Sequence, residues 1–339
     1  MYHSKGKPYY HLVKDVKVKD RRTKVRVYLG HYEPSAEDVD RFRKDYAYVL
    51  EARAAEKRAE LSSARYTSKY LTLEQIKTIE TIRYYYKAFT SLLTTSEIEV
   101  YERNFEIEYV QGTTSIEGNT INRKQTYDLL VNNITPNDKS LREINEVQNF
   151  IKVKAYRDSY RSNYGKINLE FVQTLHSLTM SNIDFDLAGA FRRIDDVCIA
   201  GCDIPVTPSI LIRPELLKLI NDYYRQLEKG IHPFEASVMF HYKFELIHPF
   251  TDGNGRVGRE IFNYMLKKSG YPRLLFLGED RDIYIRSLKA GNEGKYAEMI
   301  EVFADLINKQ RYQILVENLK KVVKPPKKIN QLRLDDFYI

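Results

Sequence analysis

The chain has 339 residues, 43% of them hydrophobic and 29% charged, with 15 Gly and 11 Pro. That excludes collagen-like, low-complexity and wholly disordered proteins and gives length for two or three folding units. Lys and Arg exceed Asp and Glu by 54 to 46. No apolar run approaches the ~18 residues of a membrane span, and the opening MYHSKGKPYYHLVKD lacks the apolar stretch of a secretory leader. The two cysteines, Cys198 and Cys202, are too few for a disulfide scaffold, so the expected location is cytoplasmic and reducing.

Residues 9–29 alternate as strands (Tyr10, Leu12, Val16, Val18, then Val25, Val27, Leu29) around a polar DRRTK turn, which predicts a short antiparallel hairpin. Nine of the basic residues fall within positions 1–31 against Asp15 and Asp20. Such a basic arm is either a solvated, lysine-guarded strand edge or a surface for nucleic acid or an acidic partner. Ser35 and Asp38 form a capping-box start for a charged, Ala-rich stretch to about Ser62 that reads as a solvated helix. Thr72 and Gln75 open a more buried one, with Leu73, Ile76, Ile79, Tyr86, Phe89 and Leu93 at helical spacing. Helical patterns follow over 97–110, 122–132, 139–160, 168–180, 214–229, 233–247, 256–268, 280–290 and 295–319. The interval 195–208, β-branched and ending in Pro, breaks the series as a small hairpin or flap. The Lys- and Pro-rich end reads as a tail.

The segment carrying chemistry is His248-Pro-Phe-Thr-Asp-Gly-Asn-Gly-Arg-Val-Gly-Arg259. Pro249 stops the helix before it. Asp252-Gly253-Asn254-Gly255 is turn chemistry that lets backbone N–H groups approach a ligand. A new helix then starts, with Val257, Ile261 and Met265 as its buried ridge, and its N-terminus offers N–H groups and a positive dipole end. Arg256 and Arg259 in that first turn are unfavourable for the helix and make sense facing an anion. Two guanidiniums, a carboxylate able to hold Mg²⁺ and an imidazole suit a polyphosphate, with His248 as the base.

This string resembles the Fic family signature His-x-Phe-x-(Asp/Glu)-Gly-Asn-Gly-Arg-x-x-Arg and matches each constrained position. The resemblance extends over about 75–315. Gly189-Ala-Phe-Arg192 resembles the segment before the family's flap, 195–208 the flap itself, and Tyr284 with Asn292-Glu-Gly294 its nucleotide-base segment, although Ile285 stands where some relatives have a second Tyr. The resemblance implies a helical core with a β-hairpin flap and transfer of AMP from Mg·ATP to a Ser, Thr or Tyr hydroxyl of a protein. In that scheme His248 is the base and Asp252 holds Mg²⁺. Gly253, Asn254, Gly255 and Arg256 hold phosphates, Arg259 reaches the γ-phosphate, and Tyr284 and Asn292 lie at the base. The flap residues Val197, Cys198, Ile199, Ile204 and Val206 dock the target by strand addition, or only pack as a lid. Thr113-Thr-Ser-Ile-Glu117-Gly118-Asn119 resembles the family's inhibitory motif (113–118), placed before the core, with Glu117 paired to Arg259 where the γ-phosphate must lie.

The architecture expected is therefore mainly α. Residues 1–70 form a basic hairpin and solvated helix, 71–319 a Fic-like domain with its catalytic motif at 248–259, and 320–339 a tail. The expected activity is self-inhibited AMPylation with ATP and a protein target as partners, and a homo-oligomer is allowed. The same site allows removal of AMP or use of another nucleotide, and residues 1–31 allow a nucleic-acid-associated regulator instead. No membrane partner is expected. His241, seven residues before His248, reads as a packed histidine, and the two cysteines lack the second pair that zinc requires.

Overall fold

A computed structural model gives the fold and describes residues 2–4, 7–197, 206–312, 314 and 315, with side chains for 8–161, 164–197, 206–312, 314 and 315. Cys198, Ile199 and Ile204 of the expected flap, and the expected tail 320–339, lie outside the described residues. The chain forms two compact units. One comprises the described residues of Met1–Arg65, Leu73–Thr94 and Asn308–Ile339, and the other Tyr66–Thr72 with Thr95–Ile307.

In the first unit, β1 (Tyr2–Ser4), β2 (Lys7–Val18) and β3 (Arg21–Gly30) form an antiparallel sheet in that order. The expected hairpin therefore has a third strand at its edge. Its turn is Lys19–Asp20, with Lys19 at φ 49°, shorter than expected because Arg21 to Lys24 already pair in β3. Period-two alternation puts Val16, Val18 and Val27 on the buried face. The expected solvated helix is two, α1 (Ala36–Asp45) and α2 (Ala47–Ser63), broken at Tyr46. α1 starts on the Ser35–Asp38 capping box. α2 is not solvated: Leu50, Ala54, Ala55 and Ala59 are buried where it packs on the sheet and on α3 (Leu73–Leu92). Small alanines let these backbones approach closely, so α2 has a buried face without the bulky apolar stripe that marks one in a sequence.

The second unit contains α4 (Thr95–Ser115), α5 (Arg123–Tyr127), α6 (Leu141–Ser159), α7 (Leu169–Thr179), α8 (Ile212–Glu228), α9 (Pro233–Ile247), α10 (Asn254–Lys268), α11 (Arg281–Asn292) and α12 (Tyr296–Ile307). At its centre α9 and α10 pack as a hairpin, with α8 and α12 against α9, and α4 and α7 against α10. α9 is buried nearly all round: beyond the expected Ala236, Phe240, Phe244 and Ile247 it also buries Phe234, Glu235, Val238, His241 and Glu245. Buried ion pairs tie this centre together. Arg157 of α6 reaches Glu106 of α4 at 3.1 Å and Glu260 of α10 at 2.8 Å. No helix of the described residues is long and apolar enough to cross a membrane.

Candidate active site

The α9–α10 corner builds the site. α9 ends on His248, whose backbone is left-handed (φ 47°, ψ 61°) and whose N–H donates to the Phe244 carbonyl, a closure that usually falls to Gly or Asn. The strain, about 1–3 kcal/mol at such a position, is held by neighbours. Arg192, almost fully buried, donates through Nε to the His248 carbonyl (2.8 Å), through NH1 to Ile194 O (2.8 Å) and Asp195 Oδ1 (3.1 Å), and through NH2 to the carbonyls of Thr207 and Ile247. One guanidinium thus fastens the histidine turn to both feet of the segment expected as the flap. Val197 and Val206, its described ends, are half-buried.

The His248 ring is fixed as well. Nδ1 lies 3.3 Å from the Glu245 carbonyl, and a carbonyl only accepts, so Nδ1 carries the proton and Nε2 is left with its lone pair. Burial lowers the His248 pKa, the Glu245 carbonyl partly opposes this, and Arg192 adds to the lowering. The ring is therefore neutral at pH 7.

The loop from Phe250 to Gly253 is shaped from below by His176, a residue the sequence did not mark. Its Nδ1 accepts from the Gly189 N–H at 2.9 Å, so its Nε2–H donates to the Asp252 carbonyl at 2.9 Å. Its ring stacks on Phe250 at 3.7 Å, and burial pushes its pKa down to about 4. Gly253 caps α10 at φ 79°, where an L side chain is strained. The Asn254 amide spends both its groups on the Phe250 backbone (2.9 and 2.7 Å). It closes the loop on itself.

Asp252 is half-buried beside three donors. Its Oδ1 accepts from the Gly253 N–H and from Arg256 (3.3 Å), and its Oδ2 accepts from Arg142. Burial alone would raise its pKa, but Arg256, the Gly253 N–H and Arg142 outweigh that and hold it below the ordinary carboxylate range. Arg256 is buried with Nε and NH1 lacking hydrogen-bond partners. NH1 approaches Glu146 Oε1 at 3.4 Å, an ion pair without hydrogen-bond alignment. Glu146 in turn accepts from Asn119 at 2.9 Å. Arg142 and Glu146, on α6, are functional neighbours that no local pattern in the sequence announces.

Arg259, one turn on, is buried too. It donates to Thr113 Oγ1 and to the Thr113 carbonyl, both at 2.8 Å, and to Glu117 Oε1 at 2.7 Å. Thr113 lies in the last turn of α4. Glu117 and Gly118 stand in the turn beyond it, with Gly118 at φ 98°. The Glu117 carboxylate lies so close over Gly255 that a Cβ there would stand 2.3 Å from Oε1. The carboxylate thus sits on the N-terminus of α10, the end that favours an anion. Beneath Arg259, 5.9 Å from its guanidinium, is the Tyr284 ring. Its hydroxyl shares a 2.8 Å hydrogen bond with His241 Nε2, and burial drives the Tyr284 pKa above its usual value.

The structure therefore brings together His248, Asp252, Gly253, Asn254, Gly255, Arg256, Arg259, Thr113, Glu117 and Gly118, which span more than a hundred residues of chain. Tyr284 is 2% exposed, with its ring against the Arg259 guanidinium. Asn292 accepts from the Tyr242 hydroxyl at 3.0 Å, joining α11 to α9, and none of its described hydrogen bonds is to the loop.

Comparison with known proteins bears on the fold and on the stretch that carries the loop. Residues 166–266 match the Fic/DOC family. The chain is 30% identical over 206 residues to the protein adenylyltransferase Fic of Drosophila ananassae, and equally to that of Drosophila melanogaster. Each match covers 60% of this chain and 40% of the relative, so the chain spans about two fifths of the length of those relatives. Among solved structures, a Fic domain-containing signaling protein from Bacteroides thetaiotaomicron superposes with a TM-score of 0.64 at 19% identity, covering 74% of this chain and 99% of that one. Fic-1 from C. elegans superposes with a TM-score of 0.63 at 24% identity, covering 84% and 87%. The fold and the matched stretch together make residues 166–266 of this chain similar to the Fic/DOC family.

Proposed function

We propose that this chain transfers AMP from ATP to a hydroxyl of a protein substrate, and that Glu117 holds the reaction in check. The observation that carries the reading is a single meeting point at the N-terminus of α10. The α9–α10 turn carries a neutral histidine with Nε2 available as acceptor, and the first turn of α10 carries a buried arginine whose Nε and NH1 lack hydrogen-bond partners. The similarity to proteins named adenylyltransferases supports the choice of AMP.

In this reading His248 Nε2 takes the proton of the target hydroxyl as its oxygen attacks the α-phosphorus. The bond from that phosphorus to the α–β bridging oxygen breaks and pyrophosphate leaves. Arg256 and the N–H groups of α10 receive the phosphate charge. Arg259 serves the γ-phosphate once Glu117 has left it, with Thr113 and Tyr284 holding the guanidinium in place. Magnesium fits the donor set, because it is usually bound by one or two carboxylates plus substrate phosphates. Asp252, held ionised, would hold it, and when bound it would neutralise phosphate charge. Arg192 and His176 act through others: one fixes the base, the other the loop.

The 2.7 Å contact of Glu117 with Arg259 supports a competition in which nucleotide and brake use the same guanidinium. The deciding experiment incubates wild type, Glu117→Gly and Glu117→Gly/His248→Ala with Mg²⁺ and ATP labelled at the α- or the γ-phosphate. Label on protein from the α position only, strongest in the single variant and absent from the double, is expected. Label from γ alone makes the chain a kinase. Equal labelling of wild type and Glu117→Gly removes the brake. No label from either position, with release of AMP from a modified protein, reverses the direction.

A further inference from the structure

The basic N-terminal strands have no part in the reaction above, yet the fold sorts their side chains onto one face. On β2 the buried face holds Val16 and Val18 and turns Lys14 to Glu51 of α2. The opposite face carries His11, Val13, Asp15 and Lys17. Their register partners on β3 are Tyr28, Arg26, Lys24 and Arg22. At the turn end of this face Lys17, Arg22, Lys24 and Arg26 are all exposed. Asp15 is the acidic side chain among them, and it meets Lys24 at 3.8 Å with both side chains largely in solvent, a pairing of little energetic weight.

At the other end the same face runs into aromatic rings. Tyr28 lies 5.4 Å from His11, 5.8 Å from Tyr9 and 5.7 Å from His31, and Tyr9 and His31 meet at 4.5 Å. His31 is exposed, and the others are half-buried. Same-face residues on a strand recur every ~6.8 Å, so the face from Lys17 to His11 is about 20 Å long. Cations thus lie in a line at one end and stackable rings at the other.

We propose that this face binds single-stranded nucleic acid, with Lys17, Arg22, Lys24 and Arg26 tracking phosphates and the Tyr9–Tyr28–His31 cluster stacking bases. The charge is complementary to a phosphate backbone. The rings decide between polyanions: an acidic peptide would use the cations and leave the rings idle, and a duplex keeps its bases stacked on one another. The inference is independent of the AMP-transfer reading.

The test uses the full chain and fluorescently labelled oligonucleotides of about 12 nucleotides, read by anisotropy across a salt series. With four phosphate contacts, the affinity for single strands should fall about 50-fold between about 50 and 200 mM salt, a log–log slope near −3. Arg22→Ala/Lys24→Ala should roughly halve that slope. Tyr28→Ala should weaken binding about tenfold at unchanged slope, while Tyr28→Phe, which keeps the ring, should bind as wild type. An unchanged thermal midpoint shows that each variant is folded. Absence of binding at about 50 mM salt overturns the proposal. So does duplex binding as tight as single-strand binding, or competition by an acidic polypeptide together with indifference to Tyr28→Ala, which would make the face a protein-docking surface.

Discussion

His248 keeps a conformation that few histidines adopt because Arg192 and the Phe244 carbonyl grip its backbone from two sides. Arg192→Lys keeps the charge but not the fork that reaches several carbonyls at once. In the Glu117→Gly background it should lower the labelling rate about 100-fold, the cost of misplacing a reacting group by about 1 Å, with nucleotide affinity nearly unchanged. Equal loss in both would mean that Arg192 only supports the fold. The pH profile reports the base itself. Burial holds the pKa of His248 below its ordinary 6.5, so labelling should rise from low pH, reach half its maximum below 6.5 and be flat above about pH 7. A rate that still climbs well above pH 7 would exclude this ring as the titrating base.

His176 makes a separate prediction about stability. Its folded pKa of about 4 lies below the unfolded 6.5, so between those values the unfolded chain binds more protons. Stability is then fully present above pH 6.5 and is lost as pH falls toward 4, by about 2 kcal/mol at pH 5 from this residue. Fully buried His241, pushed down to about 3 by burial, acts in the same direction. Thermal midpoints should fall between pH 7 and 5, and His176→Gln should lower the midpoint at pH 7 but flatten its pH dependence. An unchanged slope in that variant would assign the acid sensitivity elsewhere.

At the scale of the element, the N-terminus of α10 explains why two arginines sit where a helix disfavours cations. They are partnered across the fold by carboxylates, Arg256 by Asp252 and Glu146, and Arg259 by Glu117. Gly255 completes the arrangement by letting Glu117 lie on the helix end. Two variants that both dislodge Glu117 should therefore differ. Glu117→Gly should raise labelling, because it clears the anion site. Gly255→Ala should not, because its Cβ displaces the carboxylate and fills the same space. Nucleotide binding by calorimetry separates them, being strengthened in the first and weakened in the second. Strengthened binding in Gly255→Ala would mean that the carboxylate alone blocks the site. Much of this element was legible beforehand, because Pro249, the Asp-Gly-Asn-Gly turn and the ridge Val257, Ile261, Met265 are local signals. The hydrogen bonds of the Asn254 amide to the Phe250 backbone were not legible, since an amide in a turn points either at a ligand or back at its own backbone, and only the fold shows which.

At the scale of the whole molecule, α2 shows how packing hides in composition. Ala54, Ala55 and Ala59 are nearly inaccessible, and enlarging Ala54 to Leu should cost about 1–3 kcal/mol by overpacking, seen as a lower urea midpoint at unchanged slope. A surface site would show no loss. The sequence by itself determined the mainly helical class, the β2–β3 pairing, the turn that carries His248 and the identity of the arginines, because each rests on neighbours within one or two turns of chain. Only the tertiary structure decided that Arg142, Glu146, His176 and Arg192 touch the candidate site and that the Tyr284 ring lies against Arg259. It also decided that the basic strand residues share a face with a cluster of rings. Those outcomes depend on contacts between segments tens to more than a hundred residues apart, where side-chain spacing along the chain carries no information about distance in space.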